Sequence, residues 1–172
     1  MERTKKLTMR ALLISLALVL SYVERFIPLQ LLVPLPGIKL GLANIVTLTV
    51  LLFWGARDAF GILILRCVLG AIFGGGVSAL AFSLAGGMLS MAVMVGARKI
   101  PLFSIYGVSI LGAAAHNVGQ IGVAMVLMNS VYVLGYLPYL LLVAVFMGFV
   151  TGAVSAGVYR GLSAAGQRPT RF

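Results

Sequence analysis

The chain has 172 residues, of which 62% are hydrophobic and only 9% are charged. A soluble domain typically carries about 25% charged residues, so this chain has too little polar surface to cover a soluble globule. Its mean hydropathy of +1.14 and its repeated apolar runs predict an integral membrane protein. They exclude a disordered polymer, a soluble enzyme and a nucleic-acid binder. The 13 Lys and Arg residues, against 3 Asp and Glu, are interpreted as a record of membrane topology.

Six apolar stretches are long enough to predict helices that span the lipid bilayer. Crossing hydrocarbon about 30 Å thick takes roughly 20 helical residues, and no stretch alternates with a period of two as barrel strands do. We therefore predict an all-α polytopic protein whose single transmembrane domain covers residues 1–172. The six predicted helices cover residues 8–23, 40–54, 59–73, 77–97, 103–127 and 139–158.

The distribution of Lys and Arg predicts that both termini lie in the cytoplasm. With the N-terminus inside, ten of these cations fall in cytoplasmic segments, two (Arg25 and Lys39) fall in outer segments, and Arg66 lies within a helix. Such an asymmetry is typical of multi-pass proteins that follow the positive-inside rule. No small-residue cleavage site follows the first apolar run, so we interpret that run as a retained helix.

Acids and metal ligands are too few for catalysis by this chain alone. It has no phosphate-binding loop for ATP hydrolysis, and its acids are only Glu2, Glu24 and Asp58. Paired carboxylates and a Mg²⁺ site on an Asp-rich motif are therefore not expected. The single His116 and the single Cys67 leave no set of metal ligands and no disulfide. We predict no catalytic residue, no metal site and no cofactor.

Arg66 lies deep within a predicted span. It follows Asp58 by eight residues, about 12 Å along a helix, which places it near the middle of the bilayer. A guanidinium there costs several kcal/mol unless it is paired or hydrated, and no acid is expected in the apolar core to pair with it. Two interpretations remain open. In the first, Arg66 is structural: it snorkels to the interface, or it bonds to carbonyl groups at the Gly-rich end of the helix. In the second, it binds an anionic ligand.

Polar side chains recur on the second and fifth predicted helices. His116 and Gln120 are four residues apart and share a helix face, whereas Asn117 lies about 100° round the helix. In the predicted topology Asn44, His116 and Gln120 lie in the outer half of the membrane. They either join helices by hydrogen bonds or line an outward-facing cavity above Arg66. The candidate substrate-binding residues are therefore Asn44, Arg66, His116, Asn117 and Gln120.

Two further segments have predicted roles at the surface of the bundle. The outer segment 26–39 contains Pro34 and Pro36 among leucines, so it cannot be one helix. It is either a turn at the membrane interface or a lid over the cavity, formed by Pro34, Pro36 and Lys39. On the first helix, Ala11 and Ser15 are four residues apart, which suits either close packing within the bundle or docking of a partner subunit.

Three ordered motifs resemble those of a known bacterial family. They are Leu-Pro-Gly-Ile-Lys-Leu-Gly-Leu-Ala-Asn-Ile at 35–45, Leu65-Arg66 followed by Leu69-Gly70, and Ala-His-Asn-Val-Gly-Gln at 115–120. Over roughly residues 8–160 the chain resembles heptaprenyl diphosphate synthase component I, also called the Gx transporter family. In size, helix count and first-helix pattern, that family is similar to the substrate-binding S components of energy-coupling-factor transporters.

The resemblance to S components implies a subunit of the bacterial cell membrane that binds a small vitamin-like or isoprenoid- or quinone-related molecule from outside. A membrane coupling subunit and two ATPase subunits would be its partners. Ala11 and Ser15 would dock onto the coupling subunit, and the 26–39 loop would close the site.

The synthase label implies a different role, as a non-catalytic membrane component of heptaprenyl diphosphate or menaquinone synthesis, or of a membrane redox assembly. Prenyl chain elongation relies on Asp-rich Mg²⁺ sites, and Asp58 is the only Asp in this chain. Catalysis would then belong to a partner, a prenyl diphosphate synthase subunit.

Overall fold

The computed structural model describes residues 2–26 and 39–166, and the regular elements among them are all helical. The α-helices, in chain order, are α1 (Glu2–Val23), α2 (Asn44–Phe53), α3 (Ala56–Gly70), α4 (Gly76–Ala97), α5 (Ile105–Met128) and α6 (Leu137–Ala164). Short 3-10 helices follow α1 at Glu24–Phe26 and precede α6 at Val131–Tyr136. The prediction of an all-α protein is confirmed for this part of the chain.

α3 and α4 fold back on each other across a π-helical turn, Ala71–Gly75. The backbone leaves the helical conformation at Gly74, whose φ of 99° costs glycine little because it has no Cβ. The two helices pack closely, since a Cβ on Gly87 would lie only 2.6 Å from Leu63 Cδ1. The helical stretch Ala56–Ala97 is therefore a hairpin of two helices.

Three helical stretches are long and apolar enough to cross a membrane, namely Ala56–Ala97, Ile105–Met128 and Val131–Ala164. Their outer surfaces carry large apolar side chains, such as Leu142 and Phe146 of α6, which are 72% and 68% exposed. A contiguous apolar surface of this kind suits contact with lipid rather than water. The apolar part of α1, Leu7–Val23, and the whole of α2 are shorter. The chain has the architecture of an integral membrane protein.

α2 lies in the core of the bundle and is shorter than the predicted 40–54. Nine of its ten residues are buried, and the six apolar ones among them belong to one apolar core with residues of α1, α3 and α4. The helix begins only at Asn44, because Gly41 has a φ of 85° that interrupts helical geometry. Ten helical residues rise about 15 Å, which is half of a hydrocarbon core of about 30 Å.

Glycines bring α5 close to both of its neighbours. A Cβ on Gly119 of α5 would lie 2.7 Å from the carbonyl oxygen of Ala85 on α4, and one on Gly148 of α6 would lie 2.5 Å from Ile110 Cα on α5. Helix backbones approach this closely only where side chains are small. The polar side chains of α5 are therefore enclosed between two other helices.

Candidate functional site

A cavity of about 250 Å³ lies between α1 and the α3–α4 hairpin, with Lys39 on its wall. Its lining is mostly apolar but includes the two cationic side chains Lys39 and Arg66. The other lining residues are Leu18, Val19, Ser21 and Tyr22 of α1, Cys67, Gly70, Ala71 and Phe73 near the hairpin tip, and Ala79 and Ser83 of α4. A mostly apolar cavity with a few charged groups is the usual form of a small-molecule site.

Arg66 of α3 is almost fully buried, with 7% of its surface exposed. One terminal nitrogen donates a hydrogen bond to Asn44 Oδ1 of α2 at 3.2 Å. Arg66 Nε and Asn44 Nδ2 are buried without a hydrogen-bond partner in the described part of the chain. Burying a donor or a charge without a partner is costly. Arg66 is therefore suited to receive an acceptor that the described residues do not supply.

Lys39 brings a second cation to the cavity. Its ammonium group donates a hydrogen bond to the Ser83 hydroxyl of α4 at 2.8 Å, which holds the side chain across the cavity wall. Lys39 was predicted as part of a lid, and its contacts now place it on the wall of the site. The other two predicted lid residues, Pro34 and Pro36, lie outside the described residues.

Glu24, in the turn after α1, is an acid in the interior, so the expectation that none would lie there is wrong. It is 4% exposed, and its carboxylate accepts a hydrogen bond from the Gly41 N–H. Burial raises the pKa of this carboxyl above its ordinary value, while the Gly41 N–H, Lys39 and Arg66 lower it by less. With Glu24 ionised, these three charged side chains still carry one net positive charge, which favours an anion.

Gln120 fastens the backbone of Lys39 to α5. Its amide nitrogen donates to the Lys39 carbonyl oxygen at 3.1 Å, while its amide oxygen accepts from the Lys39 N–H at 3.1 Å and from His116 Nε2 at 3.2 Å. Gln120 is fully buried, so water does not compete for these bonds. His116 and Gln120 are absent from the cavity lining, and they act on the residue that supplies its ammonium group.

Two glycines leave the space that His116 occupies. A Cβ on Gly86 of α4 would lie 2.9 Å from the imidazole Nδ1, and one on Gly41 would lie 3.5 Å from His116 Cδ2. Gly41 also contacts Asn44, because its added Cβ would lie 2.9 Å from Asn44 Nδ2. The described part of the first motif, residues 39–45, therefore meets the motifs at 65–70 and 115–120 at one place in the fold.

Asn117 faces α6 and lies outside this cluster. Its amide nitrogen donates to the Leu140 carbonyl oxygen of α6 at 2.6 Å. Along the same pair of helices, Ser109 Oγ and Thr151 Oγ1 lie 2.7 Å apart. These two contacts join helices, which is one of the alternatives left open for the polar residues of α5. Asn117, which was predicted to bind substrate, is not among the described residues that line the cavity.

Ala11 and Ser15 are exposed on α1. The Ser15 hydroxyl donates to the Ala11 carbonyl oxygen at 2.9 Å, so its hydrogen bond is satisfied within the helix. Close packing inside the bundle therefore does not account for this small-residue pair. The face remains accessible to lipid or to a partner helix.

Sequence reasoning did not assign Ser83 or Glu24 to the site. Ser83 belongs to a pattern of small residues on α4 that is equally typical of helix packing. Glu24 lies between an apolar helix and a proline-containing segment, a position that resembles a solvated turn. Its rarity, as one of 3 acids in the chain, is the one signal that marks it.

The family of the chain is shown by comparison with family models. The model described as heptaprenyl diphosphate synthase component I matches residues 13–158, a range that contains Lys39, Arg66, His116 and Gln120. No curated protein and no solved structure matches the chain. Because the match covers well over half of the sequence, the chain belongs to the heptaprenyl diphosphate synthase component I family.

Proposed function

We propose that the chain is the substrate-binding membrane subunit of an ATP-driven uptake system for a small vitamin-like or isoprenoid- or quinone-related molecule. The observation that carries the proposal is the cavity, in which Lys39 and Arg66 face mostly apolar walls. The similarity that the sequence analysis draws between the family and S components, in size, helix count and first-helix pattern, supports the same role. Such a subunit binds its substrate and leaves ATP hydrolysis to its partners.

The proposed role is non-catalytic, and the contacts of two acids support it. Glu24 is engaged by the Gly41 N–H, and Asp58 is ion-paired with Arg10 on the bundle surface. Carboxylates held in this way do not form the close pair that general acid–base chemistry or a Mg²⁺ site requires.

The name of the family favours a second candidate, a non-catalytic membrane component of heptaprenyl diphosphate or menaquinone synthesis or of a membrane redox assembly. Its partner would be a prenyl diphosphate synthase subunit.

Purification of the tagged chain from native membranes separates the two candidates. We expect a coupling subunit and ATPase subunits to co-purify, together with a small molecule that mass spectrometry can identify. Recovery of a prenyl diphosphate synthase without ATPases would favour the second candidate.

Arg66→Gln is expected to reduce the amount of co-purifying small molecule at least tenfold while the protein still inserts and stays monodisperse. The substitution removes a buried charge whose side-chain hydrogen bond, within the part of the chain that the structure describes, is to the neutral amide of Asn44, so folding loses less than binding does. Arg57→Gln, at the exposed start of the same helix, is the matched control and should retain the molecule. Misfolding of Arg66→Gln with normal binding by the folded fraction would make Arg66 structural.

Replacing Ala11 and Ser15 together by leucine is expected to abolish assembly with a coupling subunit and leave binding of the small molecule unchanged. Both residues are exposed, so larger side chains fit on the free protein but hold a partner helix away. A pull-down of partner subunits measures the effect. Ala92→Leu, also exposed but on α4, should assemble normally, and full assembly of the double variant would refute this docking face.

The inferred topology, with both termini in the cytoplasm, predicts which ends of the helices face outward. With Cys67 replaced by alanine, a cysteine at Ser130 should react with a membrane-impermeant thiol reagent added outside cells, and a cysteine at Ser104 should not. The two positions lie beyond opposite ends of α5. The reverse labelling pattern would show that the protein is inserted in the opposite orientation, with both termini outside.

A further inference from the structure

We propose that the cavity binds an amphiphile, a molecule with an anionic carboxylate or phosphate head and one apolar chain, which enters sideways from the lipid. The inference rests on the proposed function and adds the class of substrate and its route. It is carried by the position of the cavity opening, the arrangement of charge within the cavity and the cavity volume.

The cavity reaches the lipid-facing surface between α1 and the tip of the hairpin. Val19 and Tyr22 of α1 and Phe73 of the π-helical turn line the cavity, and yet they are 56%, 57% and 70% exposed. Residues with both properties form the rim of an opening. Between these walls the hairpin presents the small residues Gly70 and Ala71, which leave the gap unfilled.

Polarity changes from the rim to the interior of the cavity. The rim is formed by valine, tyrosine and phenylalanine, whereas the cationic groups belong to Arg66, which is buried, and to Lys39, which is half-buried. A small hydrophilic anion entering through this rim would leave its water before it met either cation, and that desolvation is costly. An amphiphile already has its chain in the lipid, so only its head must move into the cavity.

The volume of the cavity fits a head and the beginning of a chain. Sites that enclose a drug-sized ligand measure about 300–1,000 Å³, and this cavity measures about 250 Å³. A longer ligand would therefore have to extend beyond the cavity. An apolar chain that passes between Val19 and Phe73 would lie against the apolar surface of α1 and in the surrounding lipid.

The test uses the full chain in phosphatidylcholine nanodiscs, with empty nanodiscs as background and three radiolabelled probes. Dodecyl phosphate has both the head and the chain, dodecanol has only the chain, and inorganic phosphate has only the head. We expect saturable binding of dodecyl phosphate, with the other two at least tenfold weaker. Equal binding of inorganic phosphate would indicate a soluble anion, equal binding of dodecanol would remove the role of the cations, and no binding of any probe would also overturn the proposal.

Paired variants assign the head and the chain to their parts of the cavity. Arg66→Gln should weaken dodecyl phosphate binding at least tenfold, while Arg57→Gln should bind as the wild type does. Ala71→Phe, which fills the gap, should also weaken binding, and Ala92→Phe on the exposed face of α4 should not. Unchanged binding by both Arg66→Gln and Ala71→Phe would overturn the assignment. The nanodisc assay needs no ATPase, so it tests the class of ligand separately from the uptake role. If the chain bound dodecyl phosphate but no ATPase co-purified with it from native membranes, the uptake role would be refuted and the class of ligand would stand.

Discussion

Gly119→Val is expected to destabilise the helix bundle by about 3 kcal/mol, the upper end of the range of roughly 1–3 kcal/mol seen when extra atoms are forced into a packed core. A Cβ at Gly119 would lie 2.7 Å from the Ala85 carbonyl oxygen and 2.9 Å from Gly86 Cα. Both neighbours are backbone atoms of α4, so no side-chain rotation relieves the overlap. The two helices must separate, and His116 then loses its packing contact with Gly86.

The matched control is Gly122→Val, one turn further along α5. A Cβ at Gly122 would meet nothing within 4 Å. Exchange of glycine for valine does not lower the helix propensity at this position, because glycine is the poorer helix former. Unfolding in detergent, followed by circular dichroism against added denaturant, compares the two variants. Equal stability of Gly119→Val and Gly122→Val would show that α4 and α5 are not in contact at this point.

The helical character of the fold follows from the sequence because apolar runs in a membrane leave few alternatives to helices. The length of α2 does not follow from the same reasoning. Leu40 to Ala43 are as apolar as the helix that comes after them, and hydropathy does not register that Gly41 adopts a positive φ. The segment before Asn44 therefore forms a turn, which brings the Lys39 backbone to Gln120 of α5 and the Gly41 N–H to Glu24.

The candidate site shows the same division between what spacing predicts and what tertiary contacts decide. The four-residue spacing of His116 and Gln120 predicts a shared helix face, and both side chains do act together, through the hydrogen bond between them. Spacing cannot say what lies opposite that face. The partner of Gln120 is the backbone of Lys39, more than seventy residues earlier in the chain, and backbone groups carry no sequence signal.

Arg66 illustrates how the two alternatives for a buried cation can be weighed once neighbours are known. Its hydrogen bond to Asn44 is made with a neutral side chain, and the acid that interacts with it electrostatically, Glu24, is itself committed to the Gly41 N–H. Snorkelling would carry the guanidinium to an exposed position, whereas it is 7% exposed. The geometry therefore argues against snorkelling, and the role of Arg66 as a cation kept for an anionic ligand stays a prediction.

Gln120→Leu is expected to destabilise the protein by roughly 3 kcal/mol or more and to release the segment that carries Lys39. Leucine has a similar size but leaves the Lys39 N–H, the Lys39 carbonyl and His116 Nε2 without the partners they have in the wild type. Each buried polar group that loses its partner costs about 1–3 kcal/mol. Lys39 would then hold its ammonium group less firmly against Ser83, and anion binding in the cavity should weaken as well.

Hydrogen–deuterium exchange over residues 39–43 provides the measurement, because local loosening raises amide exchange there before the whole bundle unfolds. Ser109→Ala is the matched control on α5. It removes a buried hydroxyl that bonds to Thr151, while Thr151 keeps its bond to the Gly148 carbonyl oxygen, so the cost should be nearer 1 kcal/mol. Exchange at 39–43 should rise in Gln120→Leu and stay unchanged in Ser109→Ala. If both variants lost stability while 39–43 stayed protected in each, Gln120 would be a packing residue of α5 and would have no part in positioning Lys39.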